Sequence, residues 1–222
     1  MSASVVIRTK NEEAWIGRCL AAIRRQDVPD LDVVIVDNES TDRTVEIATQ
    51  FDCRLVTIPQ SQFNYSLALN LGIEAAANEY VAIISGHCLP VNDKWARRLL
   101  LSIRPVRVAG AYGRQEPLPD TGPFDKRDLW TTFGVERRVQ SKDFFFHNAN
   151  SIIRKSVWRD VPFNENINGV EDRDWAKKVL ERGHTIVYEP AASVYHHHGI
   201  HQGRDEVRAA RVARVIELIH GR

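Results

Sequence analysis

The alternation of short apolar runs with segments of helical spacing is the feature that most constrains the fold. Residues 33–36 (VVIV) and 81–84 (VAII) are apolar at every position, which indicates strands buried on both faces. Residues 12–26 instead carry Ile16, Leu20 and Ile23 on one helical face. Strands that alternate with helices in this way predict an α/β fold with a doubly wound, mostly parallel sheet.

The same patterns give the order of the elements. Strands are expected at 4–9, 32–37, 54–58, 80–84, 106–112, 185–188 and 193–198. Helices are expected at 12–26, 42–51, 66–77, 94–103, 126–133 and 172–182. Residues 113–125 are rich in Pro, Gly and Asp and predict a loop, whereas 143–153 predict one or two strands around a polar break.

Length and charge limit the class of protein. The 222 residues suit one domain with a sizeable core. With 30 basic and 29 acidic residues, the chain lacks the excess positive charge of a nonspecific nucleic-acid binder, so we expect a small-molecule partner and no nucleic acid. Neither a secretory leader nor a stretch of about 20 apolar residues is recognisable, which predicts a cytoplasmic protein with reduced cysteines. Residues 203–222 predict an amphipathic helix packed on the domain; a peripheral membrane contact is the alternative.

Polar side chains follow two of the predicted strands. Thr9, Asn11 and Glu12 follow the first strand, and Asp37 ends the second. The carboxyl edge of a parallel sheet is where α/β folds bind ligands, so these groups are candidates for reading a nucleobase and a ribose. The alternative is that they only cap helices. No G-x-G-x-x-G follows the first strand and no P-loop is present.

A second candidate site begins where the run 81–84 ends. Ser85 and Gly86 lead to His87, which would bind a metal ion, contact a phosphate or only fill space. Histidines 196, 197, 198 and 201 follow near the C-terminal end, and strand alternation places His196 and His198 on one face. A metal shared with His87 is one interpretation, and imidazole with diphosphate oxygens suits Mn²⁺ better than Ca²⁺. Solvated histidines are the other.

A third candidate is the acidic start of the helix predicted at 172–182. Glu171 leads into it and Asp172 lies at its entrance. An anion at a helix N-terminus is stabilised by the helix dipole, which suits a cap and equally a general base.

Several of these segments resemble the family-2 glycosyltransferases, inverting enzymes of the GT-A fold. Residues 4–12 (SVVIRTKNE) are similar to the family's S-V-I/V-I-P-T-x-N-E, and residues 34–44 (VIVDNESTDRT) to its V-V-D-x-S-x-D-x-T. Residues 70–72 (NLG) resemble its R-N-x-G, and Glu171 with Asp172 its E-D pair. The resemblance covers essentially the whole chain. It implies a nucleotide-sugar-binding half at 1–113 and an acceptor half at 114–202, followed by the amphipathic helix predicted at 203–222.

The resemblance also implies roles for residues. Thr9, Glu12 and Asp37 would hold the nucleoside, with Asn11, Ser85 and Gly86 beside them. Asp172 would take the proton from the acceptor hydroxyl. The residues expected on the acceptor side are Glu171, Asn148, Asn150 and Trp175; for the aromatic Trp175, packing in the core is the alternative.

The chain departs from the family at the metal-binding motif. Ser85, Gly86 and His87 stand where Asp-x-Asp is usual. His87 with Cys88 is similar to the Asp-x-His form of polypeptide N-acetylgalactosaminyltransferases, in which a histidine binds manganese. That likeness implies His87 with His196 or His198 as metal ligands, and Mn²⁺ in preference to Mg²⁺.

The expected function is therefore transfer of a sugar, with inversion, from a nucleotide sugar to a glycan or lipid-linked acceptor in cell-surface polysaccharide biosynthesis. A lipid-linked acceptor would place the protein at the inner face of the membrane. Q-x-x-R-W does not follow the Glu171–Asp172 pair, which argues against a processive synthase. Two alternatives are an inactive nucleotide-sugar-binding module and a nucleotidyltransferase that makes the activated sugar. The nucleotidyltransferase should carry a Gly-rich basic loop, which residues 8–12 lack.

Overall fold

A computed structural model describes residues 2–167 and 169–197, together with Ala210, Ala213, Arg214 and Glu217. The predicted helix at 203–222 therefore lies largely outside the described residues. The strands are β1 (Ser4–Thr9), β2 (Asp32–Asp37), β3 (Arg54–Thr57), β4 (Tyr80–Ser85), β5 (Cys88–Pro90), β6 (Val108–Pro117), β7 (Arg138–Gln140), β8 (Asn150–Arg154) and β9 (Thr185–His196). The helices are α1 (Ile16–Arg24), α2 (Thr44–Ala48), α3 (Tyr65–Ala75), α4 (Trp95–Ile103), α5 (Pro123–Thr132), α6 (Lys155–Asp160) and α7 (Glu171–Glu181).

One nine-stranded sheet runs through both halves of the described chain, in the order β3-β2-β1-β4-β8-β6-β9-β5, with β7 paired to β9. The strands β3, β2, β1 and β4 are mutually parallel, as the alternation with helices predicts. Beyond β4, the antiparallel strand β8 joins this part to β6 and β9, which are parallel to each other. The second half of the sheet thus mixes both pairings.

Helices cover both faces of the sheet. Along β1, Val5 and Ile7 pack in one apolar cluster with α1 and α4, whereas Val6 packs in the other with α3 and α7. This arrangement explains why the strand runs carry no polar alternation. Among the described residues, every helix is too short or too polar to traverse a lipid bilayer.

Two predictions for the second half were wrong. The loop expected at 113–125 is strand as far as Pro117 and helix from Pro123, because β6 continues alongside β9 beyond Gly113. The strand expected at 143–153 begins only at Asn150. Residues 144–146 supply aromatic side chains to the core without pairing in the sheet.

Candidate active site

A cleft of about 330 Å³ opens at the carboxyl edge of the parallel strands. One part of it is lined by residues at the ends of β1, β4 and β9, namely Arg8, Thr9, Lys10, Glu12, Ser85, His87 and His196. Residues 147–149 and the first turn of α7 line the other. Because parallel strands all end at this edge, residues far apart in sequence meet here.

Gly86 lets the end of β4 pack against β1. Its N–H donates to the carbonyl of Arg8 at 3.1 Å, and a Cβ at this position would lie 3.0 Å from Cγ2 of Thr9. The absence of a side chain therefore permits a close approach between two backbones, whereas Gly86 was expected to contact the ligand. Ser85 and His87 on either side of it line the cleft.

His87 and His196 lie opposite each other, and a hydrogen bond at Nδ1 holds each ring in place. Nδ1 of His87 is 2.6 Å from Oε1 of Glu12, and Nδ1 of His196 is 2.7 Å from Oε1 of Gln115. Both partners are acceptors, so each neutral ring carries its proton on Nδ1 and a lone pair on Nε2. The two Nε2 atoms are 3.1 Å apart. Two lone pairs at this separation need a positive charge between them, either a proton or a metal ion.

These residues fit a divalent cation. A carboxylate behind a ligating imidazole, here Glu12 behind His87, is the usual outer partner of a metal-bound histidine. The donor atoms of His87, Cys88 and His196 lie within 4.8 Å of one another. Burial raises the pKa of the Cys88 thiol well above its usual range, so the imidazoles are the ready ligands. His197 instead packs against Trp15, with the rings tilted by 39° and their centroids 4.5 Å apart.

The acidic pair at the start of α7, Glu171 and Asp172, lines the cleft. Asp172 accepts hydrogen bonds from the backbone N–H groups of Asn148 at 3.3 Å and Arg173 at 2.8 Å. Burial raises the pKa of the Asp172 carboxyl, and the positive charge of the nearby Arg173 lowers it in part. Burial, and then the charge of Asp172, raise the pKa of Glu171 to about 7. The helix begins at Glu171, one residue before the predicted start.

Arg8 forms an ion pair with Glu171. Its Nη1 lies 3.9 Å from Oε1 of Glu171, and its guanidinium lies over the ring of Tyr65. Nε and Nη1 are buried and form no hydrogen bond with any described residue. Buried donors of this kind, at the wall of a cleft, suit an anionic ligand.

The residues expected to bind the nucleoside separate into two groups. Thr9 lines the cleft, and its hydroxyl donates to Asp37 at 2.9 Å. Asp37 itself is buried behind Thr9 and also accepts from the N–H and hydroxyl of Ser40. Asn38 lines the cleft in its place, and its buried Oδ1 has no hydrogen-bond partner among the described residues. Asp37 thus positions its neighbours.

Asn11 and Glu12 also differ from their expected roles. Asn11 is exposed and in the left-handed region, with φ 54°, and its Oδ1 accepts from the N–H of Thr41 at 2.8 Å. It joins two loops and does not line the cleft. Glu12 lies with the histidines, since it bonds to His87.

Two residues expected on the acceptor side belong to the core. Trp175 is fully buried and donates its indole N–H to the carbonyl of Val161 at 2.9 Å. Asn150 is also fully buried, and its amide bonds to Trp95 and to two main-chain carbonyls. Asn148 does line the cleft, with a buried Nδ2 that has no hydrogen-bond partner in the described part of the chain. His198 lies outside the described residues.

Sequence reasoning missed Gln115 altogether. It lies in the segment expected to be a loop, next to Pro117 and Pro119, and nothing in its surroundings marks a buried amide. Only the extension of β6 along β9 places it beside His196.

The chain is similar to known glycosyltransferases along most of its length. Residues 4–161 match the family profile described as "Glycosyl transferase family 2". Glycosyltransferase AglE of Haloferax volcanii is 30% identical over 194 residues, covering 83% of this chain and 63% of that protein. The O-antigen chain rhamnosyltransferase WbaN of Salmonella anatum is 26% identical over 188 residues, covering 80% and 60%. The chain thus spans about three fifths of the length of these relatives.

A solved structure shows the same fold. The mannosyltransferase PcManGT from Pyrobaculum calidifontis, in complex with GDP-Man and Mn²⁺, has a TM-score of 0.72 at 21% identity, covering 97% of this chain and 64% of that one. This likeness confirms the predicted α/β fold of the GT-A type. The family match extends over more than half of the 222 residues, and the chain therefore belongs to glycosyl transferase family 2.

Proposed function

We propose that the protein is a metal-dependent glycosyltransferase that moves one sugar, with inversion, from a nucleotide sugar to a hydroxyl of a glycan or lipid-linked acceptor. The observation that carries this proposal is the convergence of three features in one cleft. They are the facing imidazoles of His87 and His196, the buried guanidinium of Arg8, and the carboxylate of Asp172. Together they offer positive charge for a leaving group and a base for a nucleophile.

His87 and His196 would hold the cation, with Glu12 behind His87. A bound divalent ion neutralises the negative charge that grows on a departing diphosphate. Imidazole ligands favour Mn²⁺ over the harder Mg²⁺, which prefers oxygen. The manganese in the structure of PcManGT supports this choice, as does the Asp-x-His motif that His87 and Cys88 resemble.

Arg8 would act on the same negative charge. Its Nε–H and Nη1–H groups have no acceptor among the described residues and would donate to diphosphate oxygens. Lys10 is less suited to this task, because its ammonium already donates to the carbonyls of Asn38 and Glu39, both at 2.6 Å.

Asp172 would act as the general base. In an inverting transfer its carboxylate takes the proton of the acceptor hydroxyl, while that oxygen forms a bond to the anomeric carbon. The bond from this carbon to the diphosphate oxygen breaks, and the nucleoside diphosphate leaves with the electron pair. The backbone N–H groups on both oxygens of Asp172 keep it oriented and favour its ionised form, against the effect of burial, which raises its pKa.

The two ends of the cleft suit the two substrates. Thr9 and Asn38 lie at the end of the parallel strands, and their polar groups would read the nucleoside. Asn148 and His147 lie on the side of Asp172, where the free Nδ2 of Asn148 would donate to a sugar hydroxyl. The O-antigen rhamnosyltransferase among the relatives supports a role in cell-surface polysaccharide synthesis.

Calorimetry with a panel of nucleotide sugars, with and without Mn²⁺, tests the donor and the metal. We expect a donor whose binding strengthens with Mn²⁺ in the wild type and not in His87→Ala. The matched control is His184→Ala, which removes a histidine that does not line the cleft. Equal donor affinity of the wild type and His87→Ala in the presence of Mn²⁺ would argue against His87 as a ligand.

A second experiment tests the base. Asp172→Asn should bind the donor as the wild type does and lose transfer, measured as release of nucleoside diphosphate in the presence of acceptor extracts. Asp160→Asn, an exposed aspartate, is the control. If the wild type binds the donor equally well with and without Mn²⁺ and releases no nucleoside diphosphate, the inactive binding module is favoured. Release of pyrophosphate from a nucleoside triphosphate and a sugar phosphate would favour the nucleotidyltransferase.

A further inference from the structure

Gln115 is a fully buried amide that links two histidines of the cleft. Its Oε1 is 2.7 Å from Nδ1 of His196, and its Nε2 is 3.0 Å from Nδ1 of His147. It does not itself line the cleft. Burial of a polar side chain lowers the stability of the fold unless its polar groups form hydrogen bonds. Here both ends of the amide are paired with imidazoles.

These hydrogen bonds form a series from Ala149 through His147 and Gln115 to His196, and the N–H of Ala149 fixes the direction of each one. The backbone N–H of Ala149 lies 3.3 Å from Nδ1 of His147, and an N–H can only donate. Nδ1 of His147 must therefore accept, so the group of Gln115 that faces it is the donating NH₂. The carbonyl of Gln115 then faces His196, whose Nδ1 must carry the proton. This leaves the lone pair of His196 on Nε2, the atom that faces His87.

We propose that Gln115 is a positioning residue that holds His196 in the Nδ1–H tautomer and directs its Nε2 to the cation shared with His87. The hydrogen bond on one ring nitrogen decides which atom remains for a metal. Gln115 thus does for His196, with a neutral amide, what the carboxylate of Glu12 does for His87. This inference rests on the proposed metal site.

The test compares Gln115→Met and Gln115→Glu with the wild type. Methionine keeps the length of the side chain and removes the strong acceptor, whereas glutamate keeps an acceptor for Nδ1–H. Gln140→Met is the matched control, because Gln140 is also a buried amide, and it donates to the carbonyls of Asp143 and Phe145 away from the histidines. The tautomer of His196 is measured in the metal-free proteins by long-range ¹⁵N–¹H correlation at about pH 8, where an ordinary imidazole is neutral. Mn²⁺ binding is measured by electron paramagnetic resonance, with the metal alone.

We expect His196 in the Nδ1–H form in the wild type, Gln115→Glu and Gln140→Met. In Gln115→Met we expect the Nε2–H form to become substantial and Mn²⁺ affinity to fall by about 10- to 100-fold, the effect typical of outer-shell partners. Rescue by glutamate separates positioning from a general loss of packing. If Gln115→Met does not fold, the tautomer in the wild type and in Gln115→Glu still decides, because Nε2–H in either would overturn the proposal.

An unchanged tautomer and unchanged Mn²⁺ affinity in Gln115→Met would also overturn it. A wild type that binds no Mn²⁺, while its His196 tautomer still depends on Gln115, would refute the proposed metal site and leave the positioning role of Gln115 supported. The two failures are thus distinguishable.

Discussion

Replacement of Glu171 by glutamine should change how stability depends on pH. The residue is only 4% exposed, and its ion pair with Arg8 is long, with 3.9 Å between Oε1 of Glu171 and Nη1 of Arg8. Burial first, and the charge of Asp172 second, raise the pKa of Glu171 from 4.5 to about 7 in the folded protein. A carboxyl with a raised pKa stabilises the fold while it is protonated. This contribution is complete below the unfolded pKa and is lost as the pH rises through about 7.

The size of the effect follows from the shift. One pKa unit corresponds to about 1.4 kcal/mol, so the change from 4.5 to about 7 is worth about 3 kcal/mol in total, most of which is lost between about pH 5 and pH 8. Glutamine does not ionise, so Glu171→Gln lacks this pH dependence. The free energy of unfolding of the wild type should therefore fall by about 2 to 3 kcal/mol more than that of Glu171→Gln over the same interval.

Urea unfolding at about pH 5 and about pH 8 measures this difference directly. Glu181→Gln, at the other end of the same helix and well exposed, is the control and should follow the wild type. If the wild type and Glu171→Gln show the same pH dependence, Glu171 ionises normally in the folded state. The reasoning from its burial would then be refuted.

Three further predictions concern packing and hydrogen bonds in the interior of the protein. A methyl group in Gly113→Ala would collide with the main-chain carbonyl of Ala192, so urea titration should show a loss of about 1–3 kcal/mol, and wild-type stability would contradict this contact. Lys155→Met removes an ammonium that donates to two carbonyls at the end of α3, at 2.9 and 2.7 Å, and should cost about 1–3 kcal/mol in the same titration; a smaller loss would mean that water replaces the ammonium. Trp175→Phe deprives the carbonyl of Val161 of its donor and should cost about 1–3 kcal/mol in urea while leaving calorimetric nucleotide-sugar binding unchanged; weakened binding would return Trp175 to the substrate side.

The first half of the fold could be predicted because its information is local. The run VVIV at 33–36 indicates a strand buried on both faces whatever lies around it, and β2 is such a strand. Asn64 illustrates the same point for helices, since its side chain caps α3 by accepting from the N–H groups of Ser66 and Leu67.

The second half depends on pairing that sequence does not display. Residues 144–146 have the composition of a strand, but the register between β4 and β8 begins at Asn150, and the three phenylalanines pack in and around the core instead. The extension of β6 through Gln115 is likewise a consequence of its partner β9.

The candidate site was partly predictable for a related reason. The polar groups at the ends of β1, β2 and β4 follow from the parallel topology. The contact between His87 and His196 spans 109 residues and depends on the antiparallel register in which Cys88 lies opposite His196. Helical spacing also favours the core position of Trp175 over an acceptor-side role, since Glu171, Trp175 and Val179 recur every fourth residue on the buried face of α7.

The order of the strands in the sequence, with β9 after all the others described, has a consequence for biosynthesis. This strand pairs with β5, β6 and β7, and its last residue is His196. A nascent chain folds from its N-terminal end, so the parallel strands can form on the ribosome while this edge of the sheet is still without its partner. A chain that stops before residue 185 would carry the cleft residues of β1, β4 and α7 but would lack His196. The cleft thus acquires its second imidazole only after residue 196 has been synthesised.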